Sequence, residues 1–377
     1  MSKISLKHSG GNVVSLNSPT NAPSAADVAF KLPNADGSDG QALVTDGSGN
    51  LSFGNVAGGS AKNLIINGAF QIAQRATSST GGGYETVDRF VVTYGGTDEA
   101  PTQAQVDVAS GTTPYSLGFR KAFRITNGNQ TSGAGATDYI NFGHKIEAQN
   151  IANSGWNYTS TSSFITLQFW VKSSVAQAFY GYLQTRDGTG YSYPFSTGSL
   201  SADTWTKVTK TIPGNSNLQV DNDNGSGLEL YIDAFLGTDY TDNSRSFDTW
   251  AASADATHFP DMTSTWYTTN DATLEFTGVQ LEVGSTASDF EHRTFAQELH
   301  LCNRYYYDVL GPAPETDFGF AVGVKYNSGL NFCVVNFPVQ MRVVPTLESS
   351  TTTDSFYKMV GSNVDNYADH GMSKGGK

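Results

Sequence analysis

Residues 273–307 read TLEFTGVQLEVGSTASDFEHRTFAQELHLCNRYYY, and the organisation of the chain follows from this stretch. Leu274 and Phe276 share one phase of a strand, and Val279, Leu281 and Val283 share the other. Gly278 stands where the phase slips, which is how a β-bulge looks in a sequence. After a short link, Thr294 with Gln297 three positions on forms the capping-box start of a helix. Phe295, Leu299, Cys302, Tyr306 and Val309 then recur at spacings of four, three, four and three, the seam spacing of a coiled coil. A helix this short is marginal alone in water and must pack, either on the domain beside it or on the same helix of other copies. The seam spacing favours the copies.

Composition narrows the function. The 377 residues suffice for two or three domains, each with its own core. Lys and Arg total 22 against 35 Asp and Glu, a net charge of −13, so the basic cluster that replaces counterions on nucleic acid is missing. An anionic membrane face is disfavoured for the same reason, and no apolar run reaches the ~18 residues of a membrane span. The opening MSKISLKHSGGN lacks the apolar core of a signal peptide, so a soluble product made in a cytoplasm is expected. Cys302 and Cys333 are too few for a disulfide framework and read as small buried hydrophobes.

Residues 1–60 are poor in aromatics and rich in turn formers, and 43–53 reads as a hairpin, LVT and LSF flanking DGSGN. They form either a flexible tail or a docking arm. From 61 onward strand follows strand. Leu64, Ile66, Phe70 and Ile72 alternate in the first, Phe119, Phe123 and Ile125 in another, and Ile140, Phe142 and Ile146 in a third. Ile165, Leu167, Phe169 and Val171 face one way in a fourth, and Leu228, Leu230, Ile232, Ala234 and Leu236 do so in a fifth. Period-two patterning at this density predicts an all-β, two-layer antiparallel sandwich, with a jelly roll the preferred variant. Residues 311–377 read as a further β-rich piece.

Catalytic and metal patterns are weak. Around DNDNGSG, correct placement of the loop glycine puts Asn222 rather than a carboxylate at the first ligand position of a calcium loop, so a hairpin turn is the better reading. The six histidines lack metal-ligand spacing, and no G-x-S-x-G, Walker loop or dinucleotide fingerprint occurs. No catalytic residue, metal site or cofactor is assigned. Aromatics carry the positive signal, because sugar C–H faces stack on Tyr and Trp while nearby polar groups fix orientation. Tyr182, Tyr191, Tyr193, Tyr231, Asp233 and Trp266 are the candidate glycan contacts; for each aromatic, core packing is the competing reading.

Several runs also carry a family resemblance. These are Asn63-Leu64-Ile65-Ile66-Asn67-Gly68-Ala69-Phe70, Gln74-Arg75, Tyr84 with Asp88-Arg89-Phe90, Val279–Gly284, Phe290–Arg293, and Cys302-Asn303-Arg304-Tyr305-Tyr306. In this order they resemble bacteriophage tail-fibre proteins carrying a carbohydrate-binding-type jelly roll, over about 63–307. Met341-Arg342 with Pro345-Thr346 resembles a strand pair near the ends of such fibres. The segment 18–53 resembles N-terminal segments of marine phage structural proteins, which favours a virion-docking arm. Phe90 replaces the family's usual Trp, and Gln71 stands where related sugar-binding jelly rolls often have a calcium-binding Glu.

The expected organisation is a docking arm at 1–60, a jelly roll at 61–292, a helical neck at 293–310 and a C-terminal β domain at 311–377. The resemblance implies a homotrimer, with Phe295, Leu299, Cys302 and Tyr306 as its seam, joined to other virion proteins through the arm. It implies non-catalytic adhesion to host surface polysaccharide by a virion protein assembled in the host cytoplasm. The alternatives are an architectural capsid or tail fibre without a ligand and, last, a polysaccharide depolymerase.

Overall fold

The computed structural model describes residues 62–309 and 330–346 continuously, and 3–7, 10, 11, 13–17, 31–33, 36, 41–45, 50–55, 323–327, 359, 360, 366 and 367 in pieces. The chain divides into two compact units, Met1–Ser60 and Ala61–Lys377. In the first, β1 (Lys3–Lys7) pairs with β2 (Val13–Asn17) and β3 (Gln41–Thr45) with β4 (Leu51–Asn55). The second pair is the hairpin read at 43–53, with Leu43 opposite Phe53.

The second unit is a sandwich of two six-stranded antiparallel sheets. Its strands are β5 (Ser78–Ser79), β6 (Phe90–Gly95), β7 (Thr102–Asp107), β8 (Lys121–Thr126), β9 (Tyr139–Glu147) and β10 (Phe164–Ser173). They continue with β11 (Ala178–Thr185), β12 (Tyr191–Ser199), β13 (Thr206–Pro213), β14 (Ser226–Leu236), β15 (Ala251–Ala252) and β16 (Thr273–Val283). One sheet runs β13-β10-β16-β8-β7-β5 and the other β15-β12-β11-β14-β9-β6. Because the chain passes repeatedly from one sheet to the other, most neighbours are distant in sequence, the arrangement of a jelly roll. Two short helices, α1 (Thr113–Ser116) and α2 (Ala148–Ala152), sit in its connections.

The core lies between the sheets and is made by the residues that alternate inward. Ile165, Leu167, Phe169 and Val171 of β10 are fully buried, and so are Leu274, Phe276, Val279 and Leu281 of β16. Phe142 of β9 stacks on Phe276 across the sandwich, with ring centres 4.6 Å apart. The phase slip in β16 is a bulge: Gln168 pairs with Gln280 and Trp170 with Thr277, so Gly278 and Val279 together oppose Phe169. Gly278 has φ 64°, the left-handed conformation that a G1-type bulge requires. β14 carries a second irregularity between Asp233 and Phe235, which turns Phe235 into the core and Leu236 to the outer face.

The structure corrects the sequence at three points. Residues 64–72 form turns and coil rather than a strand, with Asn67 and Phe70 at positive φ; Ile66, Phe70 and Ile72 are buried as their spacing suggested, but so is Ile65 from the opposite phase, while Leu64 is only partly buried. The helix starts at the expected capping box but is only α3, Phe295–Cys302, and lies against its own sandwich. Cys302 is fully buried with Ile66 and Ile72, and Leu299 packs on the same cluster. Of the four seam residues, Tyr306 is half-buried beneath the Arg75 guanidinium and only Phe295, 59% exposed, stands outward. Beyond α3, β17 (Gly323–Asn327) pairs with β18 (Leu330–Cys333), and β19 (Met359–Val360) with β20 (Asn366–Tyr367). Met341–Thr346, read as strand-like, is bends and coil, and Phe318–Val322 of the expected alternating run lies outside the described residues.

Candidate functional site

The six candidate glycan contacts fall in different layers. Trp266 is fully buried between the sheets, edge-on to Phe179, and its indole N–H donates to the Thr273 carbonyl at 3.1 Å. Tyr193 is 4% exposed beside Trp250, and burial with the nearby Asp248 carboxylate pushes its phenol up to about 12. Neither ring leaves a face for a sugar. Tyr191 shares the strand phase of Tyr193 but is half-buried at the edge beside β15.

Tyr182, Tyr231 and Asp233 do come together, on the outer face of the second sheet. Tyr182 stacks on Tyr231 at 5.2 Å and on His258 at 4.5 Å. That face is roofed by the long connection between β14 and β16, whose Phe247 and Phe259 pack on Tyr180, Phe259 also on Tyr182, and Tyr240 on Tyr139. The Asp242 and His258 amides donate to the Phe259 and Tyr240 carbonyls, and Thr241 and Asn243 donate to Asp261, pinning the connection to itself. Tyr182 is left 5% exposed and Asp233 fully buried. Burial pushes the Asp233 carboxyl well above the usual carboxylate range, opposed by a hydrogen bond from Asn141. Sequence alternation placed Tyr231 and Asp233 on the outward phase of one strand; that Tyr182 joins them through the pairing of β11 with β14, and that a loop covers the face, left no sign in the sequence.

An open cavity of about 320 Å³ lies elsewhere, where α3 and the chain beyond it meet the edge of the second sheet. Its tyrosines and arginines come from the runs that carry the family resemblance, Arg75, Tyr84, Arg89, Tyr305, Tyr306 and Arg342, and Lys145 of β9 adds a further cation. Buried Asn67 helps hold these segments together. Its side-chain amide donates to the Ile72 and Asp88 carbonyls at 2.8 and 2.9 Å, and its backbone N–H donates to the Glu298 carboxylate in α3. Gly68 allows the backbones to meet: a Cβ there would lie 2.0 Å from the Val279 carbonyl oxygen. Arg293 ties α3 to the same segment through the Asn63 and Ile65 carbonyls and the Glu298 carboxylate.

Two arginines lie flat on tyrosines in the cavity wall. The Arg89 guanidinium is 3.4 Å from the Tyr305 ring centre and that of Arg75 is 3.6 Å from Tyr306. Two carboxylates also line the cavity, and their environments pull them apart. Burial raises Asp88 above the usual range, although the Gln74 backbone and side-chain N–H groups bond both of its oxygens. Burial also opposes ionisation of Glu147, but bonds from Arg304 and Tyr305 outweigh it and hold the carboxyl below its usual range. Arg304 grips both Glu147 oxygens, at 2.7 and 2.8 Å, Tyr305 donates to one and Gln149 to the other. Among the described residues, no group of three His, Cys, Asp or Glu side chains gathers as a metal site, and no helix is long and apolar enough to cross a membrane.

The tyrosines and arginines of the cavity stood in quoted motifs, whereas Lys145 and Glu147 did not, and spacing gave no reason to join them, because Arg75 and Tyr306 are 231 positions apart.

No family model matches the chain, and no curated protein matches it. Solved structures do. The enzymatically active domain of bacteriophage CBA120 tailspike protein 4 aligns at 11% identity and TM-score 0.31, covering 59% of this chain and 22% of that one. A putative sugar binding protein from Bacteroides thetaiotaomicron aligns at 12% identity and TM-score 0.30, covering 59% of this chain and all of the other. A family 4 carbohydrate-binding module aligns at 14% and 0.30, covering 58% and 99%.

Proposed function

We propose that this protein is a non-catalytic adhesin, a phage virion fibre that holds host surface glycan in the cavity between the α3 segment and the second sheet. The observation that carries the reading is that cavity: about 320 Å³, at the small end of ligand-sized sites (roughly 300–1,000 Å³), and lined by Tyr84, Tyr305 and Tyr306 with arginine N–H groups between. Aromatic faces offer sugar C–H groups a stacking surface, and guanidinium edges offer donors to ring hydroxyls. Of the six residues first named for contact, Tyr191 and Tyr231 keep partial exposure, and none of the six lines this cavity.

The fibre is proposed as a trimer docked to the virion through residues 1–60. Its contact is narrower than the expected neck, since Leu299 and Cys302 are used within the chain and Phe295 is the apolar residue that α3 turns outward. Sedimentation of the purified chain tests this, and a monomer ends it.

A depolymerase is the second reading, favoured by the opposed environments of Asp88 and Glu147 in one cavity. Holding is preferred because both oxygens of each carboxylate are occupied by donors from the chain itself, a scaffolding use. A glycan array and a panel of bacterial cells, probed with the full chain and with Tyr306→Ala, test the adhesin. Binding that weakens in the variant supports it; a chain that binds no glycan and no cell is the ligand-free architectural fibre. Release of reducing sugar from a bound polysaccharide turns the reading to the enzyme.

A further inference from the structure

We infer that the glycan held in this cavity is an acidic one, bound through an oxyanion that the arginines grip. The inference rests on the adhesin reading and deepens it.

Arg89 is the centre of the argument. It is only 8% exposed, lines the cavity, and has its Nε without a hydrogen-bond partner among the described residues. A buried donor left unmade is costly and calls for an acceptor. One terminal nitrogen donates to the Lys145 carbonyl, and the guanidinium covers Tyr305. The backbone of Arg89 is in the left-handed region, φ 74°, which a non-glycine residue adopts only against steric cost. A side chain held this way lines the cavity with a donor unused.

The charges agree. Arg75, Arg89, Lys145 and Arg342 line the cavity, with Asp88 and Glu147 as the carboxylates. Glu147 is taken up by Arg304, and Lys145 is shared with Glu229 at 3.1 Å. The Arg89 and Arg342 guanidiniums then face the Asp88 carboxylate, which burial draws toward its neutral form. Burial, with a contribution from the Arg89 charge, also pushes His144 well below its usual range, so His144 adds no competing cation. This cationic wall stands in a chain of net charge −13. Guanidinium planes match carboxylate and sulfate oxygens two at a time, and the tyrosines beneath them suit the sugar ring carrying such a group.

Calorimetric titration of the full chain tests this with three probes: an oligogalacturonate, a sulfated galactan oligosaccharide and a neutral galactan oligosaccharide. The expected result is binding of a charged probe at least about tenfold tighter than the neutral one, since hydrogen bonds to charged groups contribute more than neutral ones. That binding weakens as salt rises from about 50 to about 300 mM. The uronate and sulfate arms identify which oxyanion is read. Arg89→Gln and Arg342→Gln each lower affinity roughly tenfold, and Arg342→Gln does so without changing the melting temperature, keeping the test intact if Arg89→Gln unfolds. Equal binding of neutral and charged probes, or no effect of Arg342→Gln, overturns the acidic-ligand inference and leaves the adhesin standing. No binding to any probe overturns it too, and overturns the adhesin as well when array and cell binding are also absent.

Discussion

Replacing Gly278 by alanine tests the bulge on which β16 turns. At φ 64° an L-residue meets its own carbonyl, a cost of about 1–2 kcal/mol. The added methyl would also lie 2.6 Å from Phe119 Cζ, closer than non-bonded carbons approach. Phe119 cannot swing away freely: it is 2% exposed and packed by Phe290 at 4.9 Å and His292 at 5.1 Å. Overpacking of this kind costs about 1–3 kcal/mol, giving a total loss of roughly 2–5 kcal/mol. Gly198 is a matched control, since it stands at another register shift with φ 73°, is exposed, and has nothing within 4 Å of an added Cβ. Gly198→Ala therefore loses only the backbone part, about 1–2 kcal/mol. Urea unfolding followed by tryptophan fluorescence, with melting temperatures in parallel, measures both. The difference of about 1–3 kcal/mol corresponds to roughly 2–12 °C for a domain of this size. In a Phe119→Leu background, the cost of Gly278→Ala should fall to the Gly198→Ala level. Equal losses in the two alanine variants, or no relief from Phe119→Leu, refute the packing argument.

Three further outcomes follow from side chains at and around the site. Arg304→Ala leaves the buried Glu147 carboxylate without its main partner and should cost roughly 2–4 kcal/mol at neutral pH in urea unfolding. Because Glu147 is held below its ordinary 4.5, its contribution is present above that value and is lost as pH falls through the folded pKa, so the variant should lose this acid-side dependence. Asp233 has the opposite sign: its folded carboxyl keeps its proton to higher pH than the unfolded one, so its contribution declines as pH rises through the raised value. Asp233→Asn should accordingly gain stability relative to the parent as pH rises, and a gap that shrinks instead rejects the buried-acid account. Thr294→Ala removes the capping box of α3, in which Thr294 and Gln297 bond each other's backbone N–H, and should cost about 0.5–2 kcal/mol by thermal melting.

Apolar side chains repeating every second residue determined the sandwich. Burial of Ile165 to Val171, Leu228 to Ala234 and Leu274 to Leu281 is a property of local spacing, because a strand sends alternate residues to opposite faces whatever its partners are. Gly278 and the Thr294–Gln297 pair were legible for a similar reason: a bulge and a helix cap are chemistry within a few residues. What covers a face is not local. The alternation that gave Tyr182 and Asp233 their strand phases could not show β11 pairing with β14, the 237–262 connection folding over them, or Tyr193 and Trp266 turning inward. The seam spacing of Phe295, Leu299, Cys302 and Tyr306 described an apolar stripe without naming its partner, which is Ile66 and Ile72 for Leu299 and Cys302. The cavity is tertiary altogether. Arg75, Arg89, Tyr305 and Arg342 are brought together by buried contacts across the sandwich edge, and a one-dimensional pattern has no means of recording which distant segments close on each other.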